Sequence, residues 1–435
     1  MGLNSPWAIL RCKWNDIDDE PLSDDFVEKM FTTAGTGTLN MVDFFDKMSH
    51  GNLDLSGSQV FGWFTLPNPH TDYVAYGGKI SRTDLVTIAR STATANGVDL
   101  SAFPHQVVLM NLETDLFGLQ GGSAAVCDLT NCRPSELGQE MGHPYGLDHS
   151  RGNGGDPAQN LDYGDPWDIM STERFGGSIV RPPEFPNGPY GPYGPGLNAA
   201  NMRARGWLDR SRVLTLNSGK AAGFPVTVQL RPLHTRELPG FLALEIDDYI
   251  VEFRDNHEWD LAIDSGVIVH SFSDNHSWLE RNSKGQERLN AGDSWELGDE
   301  GITDLPFTRV LVTDIDGPNR SATLNVTRRP GRKFNVPVGG ETRPPWVDGG
   351  GFLGGSAQQS VVVQPGDDLL VVVDHLVAFK AVENLRDGPA RDAAQRAAME
   401  QVAQYATAQL GRLSAADDIR TPAPQSSGRE REQPL

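Results

Sequence analysis

Gln139-Glu-Met-Gly-His-Pro-Tyr-Gly-Leu-Asp-His149, entered from Cys132-Arg-Pro-Ser-Glu-Leu-Gly138, reads as a short helix followed by a tight exit. Pro134 suits a first helical turn, where a backbone donor would have no partner in any case. Gln139 and His143 stand four apart and share one helix face, with Glu140 beside them. Gly146 permits a left-handed exit, and three residues on His149 can swing back toward the same point. Side chains that accept a metal therefore converge from one helix and the loop behind it.

The spacing matches the zincin pattern H-E-x-x-H-x-x-G-x-x-H at every specified position except the first, where Gln139 stands. Downstream, Tyr163-Gly-Asp-Pro-Trp-Asp-Ile-Met-Ser171 places Met170 in a turn. With both features present the chain resembles metzincin metallopeptidases, especially those of the immune inhibitor A and gametolysin types. Ser49-His-Gly-Asn-Leu-Asp-Leu55, Val60-Phe-Gly-Trp-Phe-Thr-Leu66 and Met202-Arg-Ala-Arg-Gly-Trp-Leu208 resemble segments of the same families. The resemblance covers residues 7–208 well, the next hundred or so loosely and the C-terminal hundred not at all. It implies an α/β catalytic domain built on a mixed sheet with an active-site helix. It also implies Zn2+, or another divalent metal such as Cu2+ given Gln139, held by Gln139, His143 and His149. Glu140 would be the general base, Met170 the floor of the site, a protein or peptide the substrate, and the location extracellular.

Two residues depart from the pattern. The amide oxygen of Gln139 is a weaker zinc donor than imidazole, although gametolysin-type peptidases include members with Gln there. Pro144 removes a helix hydrogen bond and restrains His143 from the α region, so the helix is expected to end or kink about one turn early.

Working outward, residues 7–14 read as a buried strand and Met41–Met48 as a helix, with Met41, Phe44, Phe45 and Met48 at helical spacing. Residues 52–66 return to strand character, 83–95 to helix, and His105–Met110 to strand. This βαβαβ order implies a mixed or parallel sheet. Asn187-Gly-Pro-Tyr-Gly-Pro-Tyr-Gly-Pro-Gly196 is loop, and a short helix over 197–205 closes the first domain. From about 213 to 328 apolar residues recur with period two, as in Val226/Val228/Leu230 and Tyr249/Val251/Phe253, which is a β-sandwich signature. Beyond it lie a strand candidate at 369–373 and a helix whose stripe is Met399, Val402, Ala406, Leu410 and Leu413. The expected division is a catalytic domain at 1–210, a β-sandwich at 211–330, an accessory strand and helix region at 331–415, and a disordered tail at 416–435.

Composition sets the outer limits. A length of 435 residues with 38% hydrophobic and 22% charged residues fits a globular protein of two or three units, and no apolar run reaches membrane-span length. A formal charge of −21 repels a phosphate backbone, which argues against nucleic acid as a partner. Cys127 and Cys132 are close enough in sequence to form one short disulfide loop, whereas Cys12, inside the first strand, is expected to be a packed thiol. Residues 1–6 do not read as a signal peptide, so none is expected from the sequence as written, and the sequons at Asn275, Asn319 and Asn325 carry little weight. The leading expectation is a metal-dependent endopeptidase. Its rivals are a catalytically impaired relative that binds peptides or another partner, such as a surface, in the same cleft, and a protein whose β-rich region is a carbohydrate or cell-surface adhesion module with the first domain as scaffold.

Overall fold

The computed structural model describes residues 2–152, 162–172, 186–216, 225–298, 300 and 307–329. The strand expected at 369–373, the helix at 399–413 and the tail lie outside the described residues. Within the described part the protein is mixed α/β, with more strand than helix.

The first sheet contains β1 (Trp7–Lys13), β2 (Gln59–Thr65), β3 (His105–Met110), β4 (Phe117–Gly118) and β5 (Ala124–Asp128), in the order β2-β1-β3-β5-β4. All neighbours are parallel except the edge pair β4/β5. The internal strand β1 is apolar from Trp7 to Leu10 without alternation and buried nearly throughout, as a strand covered on both faces must be. One face is covered by α1 (Asp24–Phe31) and α2 (Met41–Met48), the other by α3 (Arg82–Ala95). Met41, Phe44, Phe45 and Met48 of α2 have no exposure at all, and burial of that kind stabilises by about 1.5–3 kcal/mol per side chain. Asn40 and Ser81 begin α2 and α3 with reciprocal caps to Asp43 and Asp84.

Sequence and structure differ at several places. The strand expected over 52–66 is broken into Leu53–Asp54 and β2, because Ser56-Gly57 turns the chain between them. α1 was not expected, yet Ser23 caps it and Val27, Met30 and Phe31 make a buried stripe at helical spacing. β5 was also missed, since Ala-Ala-Val-Cys-Asp is too short and too small in side chain to stand out. The cysteines form no disulfide: Cys12, Cys127 and Cys132 are free and buried, with the Cys132 thiol against the Met30 sulfur at 3.6 Å.

The strands of the two other large sheets are β6 (Arg151–Gly152), β7 (Val213–Leu216), β8 (Val226–Leu230), β9 (Ala243–Ile246), β10 (Tyr249–Arg254), β11 (Gly266–Ser273), β12 (His276–Leu279), β13 (Arg288–Leu289), β14 (Ser294–Leu297), β15 (Phe307–Asp316) and β16 (Ser321–Arg329), while Leu3–Asn4 pairs with Leu53–Asp54 and, within the stretch expected to be loop, Asn187–Gly188 pairs with Gly191–Pro192. One sheet runs β7-β9-β10-β11-β12-β6 with β13 attached to β11, and a four-stranded antiparallel sheet runs β8-β16-β15-β14. The period-two residues Val228, Leu244, Val251, Val269 and Leu324 belong to one apolar cluster fed by both sheets. The alternate residues of β9 and β10, Ala243 and Ile250, instead join the cluster of α2 and α4 (Pro134–Glu140). The β-rich sheet therefore has two buried faces, and the second of them bears on the site.

Candidate metal centre

α4 begins at Pro134 and stops at Glu140; a single 3-10 turn, His143–Tyr145, then leads to Gly146 at φ +83°. The early end is the one expected from Pro144. Even so, the two histidine rings meet, with centroids 5.0 Å apart. His143 is buried, and its Nδ1–H donates to the Leu147 carbonyl at 2.9 Å. A carbonyl accepts only, so the proton is on Nδ1 and Nε2 keeps its lone pair, 3.9 Å from Glu140 Oε2. Burial, helped by the neighbouring His149, pushes the His143 pKa down to about 4, so this ring is neutral at physiological pH.

His149 lies in the loop. The Tyr163 hydroxyl is 3.0 Å from its Nε2 and the two rings lie 4.2 Å apart, while Nδ1 faces Asp162 Oδ2 at 3.7 Å. Burial opposes ionisation of Asp162, yet hydrogen bonds from His149 and Arg151 hold its carboxyl well below the usual range. Asp162 and Tyr163 were not singled out from sequence, because nothing in their spacing marks them as neighbours of His149.

Glu140 is buried beside the edge strand, takes a hydrogen bond from the Gly118 backbone and lies 3.4 Å from the Gln139 amide nitrogen. Burial pushes its carboxyl up to about 7, against the opposing pull of His149, Arg82 and these hydrogen bonds. Gln139 Oε1 is buried and has no hydrogen-bond partner. An orphaned acceptor of that kind costs roughly 1–3 kcal/mol unless something positive sits against it. An amide oxygen without a partner and two imidazoles, one with its lone pair unprotonated, fit a divalent ion. Among the described residues no three His, Cys, Asp or Glu side chains gather as a metal-holding group.

Beneath the site Met170 is fully buried, its sulfur so close to Gly142 that a side chain there would meet it at 2.9 Å. Its turn is locked by Asp168, whose Oδ1 accepts from Met170 N and whose Oδ2 accepts from Asn198 N, both at 2.6 Å. Asp165 receives His270 Nε2 at 2.9 Å, and the fully buried Arg254 donates to the Trp167 carbonyl at 2.7 Å and to Asp260. Burial raises Asp168 to about 7, with Asp165 adding to it; burial also opposes ionisation of Asp165, which the His270 charge outweighs. β10 and β11 thus supply the groups that fix the turn under the two histidines.

The chain matches no model of a known protein family, and no curated protein sequence is significantly similar to it.

Proposed function

We propose that this protein is a metal-dependent endopeptidase of the metzincin type, with Glu140 as general base and Gln139, His143 and His149 as ligands of Zn2+ or another divalent ion such as Cu2+. The observation that carries the reading is the meeting of the His143 and His149 rings, with Glu140 beside His143 and a buried Gln139, whose oxygen has no hydrogen-bond partner, beside Glu140. The mixed sheet with its helix following the last strand, and the paired β sheets behind it, fit a catalytic domain joined to a β-sandwich. When bound, the ion would make a water acidic enough to ionise near neutral pH and would polarise the scissile carbonyl.

The chain's own groups account for the rest. Glu140 takes a proton from the attacking water and delivers it to the leaving amine, and a carboxyl raised by burial is suited to both transfers. The Leu147 carbonyl holds His143 in the tautomer that presents Nε2. β4 lies at the sheet edge beside Glu140, with its Gly118 N–H given to that carboxylate. Secretion, implied by the resemblance, belongs to the same proposal. One observation favours a second reading: the amide at position 139 leaves only two imidazoles, as expected of a relative that binds peptides without cleaving them.

The deciding experiment measures Zn2+ content and peptide hydrolysis for the wild type and for Glu140→Ala. The expected result is about one ion per chain in both proteins and hydrolysis in the wild type alone. A wild-type chain that retains the ion yet cleaves nothing gives the lead to the peptide-binding reading, and hydrolysis by Glu140→Ala at the wild-type rate defeats the mechanism.

A further inference from the structure

His149 is the one proposed ligand on a loop, and a loop ligand must be ordered before it can bind. The chain after it runs along β12. Arg151 and Gly152 pair with Trp278 and Leu279 as parallel strands. One step back, the Ser277 hydroxyl donates to the Ser150 hydroxyl at 2.8 Å. One further step back, His276 Nδ1–H donates to the His149 carbonyl at 2.8 Å, and its Nε2 is 3.4 Å from Asp148 Oδ2. Four consecutive residues of β12 therefore hold four consecutive residues beginning at the ligand.

The turn preceding β12 adds to the hold. Asp274 and Asn275 both have positive φ, +51° and +64°, as the two central residues of a tight hairpin between β11 and β12 require. That turn points the Asn275 amide at the Gly146 carbonyl, 3.1 Å away, and Arg205 joins the Asn275 side chain to the Tyr145 carbonyl. The loop from Tyr145 to Gly152 is thus fastened at both ends by one hairpin of the β-rich sheet.

We infer that this hairpin is a working part of the metal centre, with His276 and Asn275 as positioning residues that set the orientation of His149. The inference rests on the metal-binding reading above. A ligand held from outside in this way normally loses about 10–100-fold in metal affinity when its support is removed. The test titrates the full-length chain with Zn2+ in competition with a chromophoric chelator, alongside His276→Ala, His276→Asn, Asn275→Asp and His149→Ala. His276→Ala is expected to bind Zn2+ about 10–100-fold more weakly. His276→Asn, whose amide can donate to the same carbonyl, should recover most of the loss. In a His149→Ala background His276→Ala should have no further effect, a result that general loosening of the fold would not give. Asn275→Asp, which replaces the donor to Gly146 with a carboxylate that Arg205 can still hold, should weaken binding in the same direction, and it decides the matter if His276→Ala does not fold. Wild-type affinity in both His276→Ala and Asn275→Asp overturns the inference and leaves the metal centre standing. A wild-type chain that takes up no Zn2+ overturns both, and a His276→Ala loss that persists undiminished without His149 overturns the positioning role alone.

Discussion

An imidazole binds a metal through whichever nitrogen its other partner leaves unprotonated, so the Leu147 carbonyl decides how His143 is used. Gln139 has no such choice: its amide oxygen is neutral and already without a hydrogen bond. Gln139→His should therefore raise Zn2+ affinity by more than the ~10–100-fold typical of changes in the surrounding shell, and hydrolysis should rise with it. Tight binding without hydrolysis in that variant would place the limit at the helix end shaped by Pro144. Tyr163 makes a separate prediction. Its hydroxyl occupies the Nε2 side of His149 that an ion must take. Tyr163→Phe keeps the ring tilted against His149 and should tighten Zn2+ roughly 2–10-fold, the equivalent of one hydrogen bond of about 0.5–1.5 kcal/mol. Weaker binding would mean that the phenol serves the ion as a donor.

At the level of elements, the site depends on a close approach between α4 and the edge strand β4. A methyl group on Gly118 would lie 2.2 Å from the Glu140 carbonyl oxygen and 2.9 Å from His143 Cβ. Gly118→Ala must push strand from helix, which we expect to cost about 1–3 kcal/mol and to weaken Zn2+ binding in parallel. Thermal unfolding and chelator competition check the two effects, and unchanged values for both would show that the strand does not set the helix end. α4 itself was readable from sequence: Pro134 opened it, Pro144 foretold its early end, and Gly146 supplied the left-handed turn. α1 and β5 were not, since one followed a run of acidic residues and the other is a short stretch dominated by small residues whose burial comes from neighbouring strands.

On the scale of the described residues, the first sheet with its helices and the start of the β-rich region share interior surface. His50 shows the consequence. Its Nε2–H donates to the Leu233 carbonyl at 3.0 Å, and Nδ1 accepts from Asp209 N–H at 3.1 Å, so a proton on Nδ1 would break the second bond. Burial, with Arg236 adding to it, pushes its pKa down to about 4, and His105 is lowered to about 4 by burial and Arg90. The folded values lie below the unfolded ones, so the unfolded chain gains protons first. Stability should therefore fall as pH drops from about 6.5 to about 4, with His50 alone contributing about 3 kcal/mol at most over that window. His50→Gln should flatten the fall of melting temperature with acidification, and parallel curves for variant and wild type would refute the assignment.

The sequence by itself determined the local elements: the helix from Pro134, the turn at Gly146 and the strand periodicities, and it singled out Glu140, His143 and His149 as the side chains of the proposed site. Such features depend on spacing and backbone preference, which neighbouring residues express directly. Only the tertiary structure decided what surrounds them. Asp162 and Tyr163 against His149, Arg254 and His270 around the Met170 turn, and His276 on the His149 carbonyl all come from positions whose own sequence gives no hint of the partner. The same holds for Cys127 and Cys132, whose spacing allows a disulfide but whose folded surroundings keep them as buried thiols. The reason is that a hydrogen bond across 127 residues is set by which sheet faces which loop, and that follows from burying two apolar faces at once rather than from any pattern along the chain.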